Sequence, residues 1–171
     1  MAKYSYLFEV PSISYAENLV SISKTVFAHS HQTCYITLNK TAGMVKNMLQ
    51  DGGVFTASYS FIDGISAALF APVSTKDTYY LKYPIQLHEL ETTIWTMIRA
   101  QRTDSIVFDS LSTFTTYPNQ EDIIRFFHKL IAQLSEQHII VVFVCLLEDT
   151  QKPLIAHVAM SVDEVQEVRG R

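Results

Sequence analysis

The residues best suited to chemistry in this sequence are acids and hydroxyls at the ends of short apolar runs. Ser105–Phe114 reads SIVFDSLSTF: Ile106, Val107 and Phe108 are β-formers in a run too short for a stable helix, and Asp109-Ser110 follows them. Tyr59–Ile65 (YSFIDGI) repeats the pattern, with Asp63-Gly64 near its end. A strand apolar on both faces belongs inside a parallel sheet covered by helices. Ligands of such sheets collect at the carboxyl ends of the strands, so Asp109 stands where chemistry is expected. Asp63 and Asp109 could face one crevice, where paired carboxylates bind a divalent cation or divide into acid and base. Acids at strand ends also follow from fold regularity alone.

The other constellations point to less. His29, His31 and Cys34 cluster, but a structural zinc site needs four ligands and no second His/Cys pair has ligand spacing. No metal is expected. Cys34 and Cys145 lie inside apolar runs, which suits buried structural thiols in a reducing compartment rather than nucleophiles. Neither G-x-S-x-G nor G-x-G-x-x-G occurs. No residue is therefore assigned a catalytic role.

The elements that must position these groups alternate. Tyr4–Val10 reads as a strand ended by Pro11. Ser14 with Glu17 has the spacing of a capping box, opening a helix over 15–29 with Leu19, Ile22 and Val26 on one face. Cys34–Leu38 is a second strand. Thr41 caps a second helix with Met44, Val45, Met48 and Leu49 on one face, stopped by Asp51-Gly52-Gly53. After the Tyr59–Ile65 strand come a loop over Ala67–Asp77 and a short strand, Thr78–Lys82. Leu87, Leu90, Ile94, Met97 and Ile98 mark a helix ending near Arg102. Asn119 reads as the N-cap of another helix, with Glu121 and Asp122 in its first turn and Ile123, Phe127, Leu130, Ile131 and Leu134 on its buried face. His138–Leu147 is the most apolar strand, followed by a helix over 152–160 and a last strand, Glu164–Val168. Strands alternating with helices predict parallel βαβ units. The expected fold is a single three-layer α/β domain over residues 1–171 with a mostly parallel central sheet.

Composition bounds the function. The chain has 171 residues, formal net charge −4 and 18% charged residues. Its thirteen Lys and Arg are scattered, against the basic stripe of a nucleic-acid binder. The longest apolar run, Ile139–Leu147, is less than half the roughly twenty residues that span a bilayer. The N-terminus has no signal-peptide h-region. Neither nucleic acid nor membrane is expected as a partner, and the expected location is the cytoplasm.

Taken together, these residues resemble the RecA-like ATPases, in particular the KaiC-like and Rad55-like branch common in archaea. IVFDSLSTF resembles the family's Walker B strand, CYITLNKT the strand after the first helix, FIDGIS the third strand and MSVDEVQEV the strand near the C-terminus. The resemblance spans most of the chain and implies a RecA-like topology. It also exposes departures. A P-loop uses glycine amides to cradle phosphate, then Lys and Ser or Thr; here the first strand leads into PSISYAENL, with no glycine before Gly43. Ser23-Lys24-Thr25 imitates a P-loop end but lies inside the predicted helix. The family's water-polarising acid falls on Asn39-Lys40, and asparagine cannot accept a proton. Of the parts used for phosphoryl transfer, only Asp109 remains.

The resemblance therefore implies a RecA/KaiC-like domain without ATP hydrolysis or an ATP–magnesium cofactor. Its expected work is as a regulatory or scaffold partner, through homo-oligomerisation or binding to an active relative. Two alternatives stand beside it. One is a nucleotide or small-ligand module using the strand-end crevice, with Asp109, Ser110 and Asn39 pointing at the ligand and Ser12 or Ser14 holding an anion. The other is a metal-assisted hydrolase built on Asp63 and Asp109. The aromatics between residues 70 and 83 could also form a partner surface.

Overall fold

A computed structural model of the chain describes residues 1–169. Strands β1 (Ser5–Val10), β2 (Thr33–Thr37), β3 (Tyr59–Asp63), β4 (Thr78–Tyr80), β5 (Ser105–Asp109), β6 (Ile140–Leu146) and β7 (Glu164–Glu167) form one sheet in the order β4-β3-β2-β5-β6-β1-β7. Every pairing is parallel. Helices α1 (Tyr15–Val26), α2 (Ala42–Asp51), α3 (Leu87–Gln101), α4 (Gln120–Glu136) and α5 (Pro153–Ser161) connect them. β5 is the middle strand, and every residue of β2, β3 and β5 is buried, as two-sided apolar runs require.

The helices cover both faces. Tyr35, Phe61, Val107, Val142 and Val144 pack with α1 and α2 on one side. Ile36, Ile62, Phe108, Phe143 and Cys145 pack with α3, α4 and α5 on the other. The second face centres on Phe108, whose ring meets Phe127 edge-on at 5.1 Å and Phe143 at 5.7 Å. Each such fully buried side chain contributes about 1.5–3 kcal/mol over exposure.

Element ends show which local signals act. Thr41 caps α2 as expected, accepting from the Met44 N–H at 3.2 Å. Gly53, at φ +82°, takes the left-handed conformation that lets the chain leave α2. Ser14 and Glu17 form no capping box: Ser14 makes no side-chain cap, and its Oγ and carbonyl both accept from Asn18 Nδ2 at 2.9 Å. Asn119 stands at the N-cap of α4 but adopts φ 60° and caps nothing with its side chain. Gln120 instead donates to the Phe114 and Tyr117 carbonyls. α1 ends at Val26, short of His29, because the Asp104 carboxylate takes the His31 and Gln32 N–H groups and turns the chain into β2. On α2, Val45 and Leu49 are buried while Met44 is exposed, and Ala42 completes the inner face.

Candidate functional site

The carboxyl ends of β2, β3 and β5 bring the expected acids to one level. Asp63 and Asp109 are both in register with Thr37 of the strand between them, so they share a face of the sheet roughly 10 Å apart. That face is covered by α1 and α2, and the start of each helix takes one of the acids.

Asp63, fully buried, is held by four donors. Ala42 N–H at the start of α2 donates to Oδ2 at 2.7 Å, and the Ser66 hydroxyl to the same oxygen at 2.6 Å. Ile65 and Ser66 N–H donate to Oδ1 at 2.9 and 2.8 Å. A carboxylate at a helix N-terminus with this many donors is a structural anchor, fastening α2 and the turn after β3 to the sheet.

Asp109 is closed by two phenols. Tyr15, the first residue of α1, donates to Oδ1, and Tyr35 in β2 donates to Oδ2 at 2.7 Å. Burial raises the Asp109 pKa; the two phenols, the Lys40 charge and the Asn39 amide oppose that rise. Burial, then the Asp109 charge, raises both tyrosines, so they remain neutral donors. Lys40 Nζ lies 5.1 Å from the centroid of the Tyr15 ring, so the residues after β2 cover the same phenol. Ser110, buried beside Asp109 through a cis peptide, lies within reach of the Tyr15 hydroxyl.

The hydroxyls before α1 face other groups. Only Pro11 to Ser14 separates β1 from α1, much of it a 3-10 turn. Ser12 N–H and Oγ both donate to Glu148 Oε1, at 3.2 and 2.7 Å, which lowers the Glu148 pKa. Ser14 is engaged by Asn18. The site thus joins Asp109 to Tyr15, with Lys40 by the Tyr15 ring, Ser110 buried next to Asp109, and the exposed Asn39 acting on the Asp109 carboxyl rather than on the phenol. It leaves Ser12 on Glu148, Ser14 on Asn18 and Asp63 on α2.

Tyr15 and Tyr35 were not singled out from the sequence. Tyr15 reads as a helix-start residue and Tyr35 as one of several strand aromatics; no local spacing marks either as a carboxylate partner. Two cavities of about 760 and 710 Å³ are lined by other residues. Among the described residues, no group of three or more His, Cys, Asp or Glu could hold a metal ion, and no helix is long and apolar enough to cross a membrane.

No protein-family model and no curated protein matches the sequence. Among solved structures, the fold is similar to that of a KaiC-like protein from the hyperthermophilic archaeon Pyrococcus horikoshii OT3, at a TM-score of 0.66 and 12% sequence identity. The match covers 98% of this chain and 74% of that one. The chain has the KaiC-like, RecA-type α/β fold.

Proposed function

We propose that this chain is a catalytically inactive RecA/KaiC-like domain serving as a regulatory or scaffold partner, through self-association or binding to an active ATPase relative. The observation that carries the reading is the closure of Asp109. Both oxygens of the acid that would help hold a magnesium–nucleotide complex accept from the phenols of Tyr15 and Tyr35. One of those phenols comes from the helix that a phosphate cradle would precede.

Two sequence features agree. The segment before α1 has no glycine to turn amides inward, and Asn39-Lys40 stands where the family keeps its acid. Two buried free thiols, Cys34 and Cys145, suit work in the cytoplasm. The metal-assisted hydrolase draws no support from the geometry, because Asp63 is engaged by four donors and Asp109 by two.

Calorimetric titration with ATP and magnesium, paired with a phosphate-release assay, tests the reading. The expected result is neither heat nor released phosphate. Micromolar binding, or turnover that Asp109→Asn abolishes, would overturn it.

A further inference from the structure

Two imidazoles meet across the seam between α4 and α5. The rings of His128 and His157 stand 5.9 Å apart at their centroids and are tilted at 56°. Each lies at the edge of its helix's buried face: Phe127 and Ile131 are core neighbours of His128 in sequence, Leu154 and Val158 of His157. Apolar packing of the two helices fixes the backbone under both rings, while the rings reach the surface, His128 exposed and His157 half-buried. Among the described residues, no carboxylate pairs with either ring. Arg125, one turn before His128, is paired with Asp122 at 3.3 Å.

The other histidines are placed differently. His29 and His31 lie in the exposed turn before β2, His88 lines the cavity between the starts of α3 and α4, and His138 packs on Tyr4 at 5.1 Å.

We infer that His128 and His157 form a two-imidazole site for a divalent transition-metal ion of the nitrogen-preferring kind, Ni²⁺, Cu²⁺ or Zn²⁺, which staples α5 to α4. Neutral imidazole is a good ligand for these ions, whereas Mg²⁺ and Ca²⁺ prefer oxygen. With metal–nitrogen bonds of roughly 2.0–2.1 Å, two rings on one ion hold their centroids about 4.5–6.4 Å apart as the angle at the metal opens from square to linear. The observed 5.9 Å falls within that span, so the ion is reached by turning the rings, without moving either helix. Water completes the coordination, which makes this an open site of modest affinity rather than a closed structural site of four protein ligands. The next element after α5 is β7, the edge strand beside β1, so an ion held by both helices also fastens the end of the sheet that α5 leads into. The pair lies on the face covered by α3, α4 and α5, away from Tyr15 and Tyr35, and is independent of the closed acid.

Calorimetric titration of chelator-treated protein with NiCl₂ tests the site, with thermal unfolding as a second readout. Ni²⁺ is the probe because thiols compete more strongly for zinc and copper. At mildly alkaline pH, where imidazole is neutral, wild type should bind Ni²⁺ at submillimolar concentration and unfold at higher temperature when saturated. His128→Gln and His157→Gln should each weaken binding by at least about tenfold and remove the thermal shift, and His31→Gln should do neither. Circular dichroism checks that the variants are folded, and His128→Gln, at an exposed position, decides the matter if His157→Gln misfolds. No binding below millimolar Ni²⁺, a smaller loss in His128→Gln, or binding lost in His31→Gln would overturn the inference. So would an ion bound by wild type that leaves the unfolding temperature unchanged.

Discussion

The Tyr15 hydroxyl donates to Asp109 across 94 residues of sequence, tying the first residue of a helix to the last residue of the central strand. Tyr35 holds the other carboxylate oxygen. Replacing either tyrosine by phenylalanine keeps the ring and removes one donor from a buried acid. Each substitution should cost about 1–3 kcal/mol in urea unfolding. The double variant should depart from the sum, because both phenols serve one carboxylate.

Asp109 and Asp163 should shape the acid limb of stability in opposite senses. Asp109 has a folded pKa raised above 3.8, chiefly by burial. The folded state then takes up its proton before the unfolded state does. Stability from this group rises as pH falls through the folded value, and the gain is complete below 3.8. Asp163 accepts from Tyr4 N–H and from Ser5 N–H and Oγ, and its pKa is lowered below 3.8, chiefly by the Tyr4 bond. Its contribution is present above 3.8 and is lost as pH falls through the folded value. Urea midpoints measured from neutral to strongly acidic pH should show Asp109→Asn losing the gain and Asp163→Asn losing the drop. The same slope change in both variants would contradict this assignment.

Cys34 and Cys145 are free and buried, and burial pushes both thiols up to about 12. At mildly alkaline pH a thiol-specific chromogenic reagent should label neither in the folded protein and both in urea. Rapid labelling of the native protein would show that one of the strands carrying them opens readily.

Phe108→Ala should be among the most damaging single changes, costing about 3–5 kcal/mol, because its ring touches Phe114, Phe127 and Phe143 from three elements. Phe55→Ala, on an exposed ring, should stay within about 0.5 kcal/mol in the dilute monomer. Thermal and urea unfolding of the two variants side by side measures the contrast.

Much of the architecture is legible in local pattern. β2, β3 and β5 read as interior strands because burial on two faces demands apolar residues at consecutive positions. Thr41 and Gly53 mark the two ends of α2 because capping and positive φ are chemistry within a few residues. Asp63 and Asp109 stand out as acids at strand ends for the same reason. Ser14 shows the limit even at short range, since spacing allowed Glu17 as its partner and Asn18 took it.

What each acid does was decided by tertiary structure alone. Sequence order leaves open which helix start covers which strand end. Thr37 places Asp63 and Asp109 on one face only once β2 lies between β3 and β5. Folding then brings the α2 amide of Ala42 to Asp63 and the α1 phenol of Tyr15 to Asp109. Residue type made two buried carboxylates readable; their donors come from distant segments, and only the packed layers bring those within hydrogen-bond range.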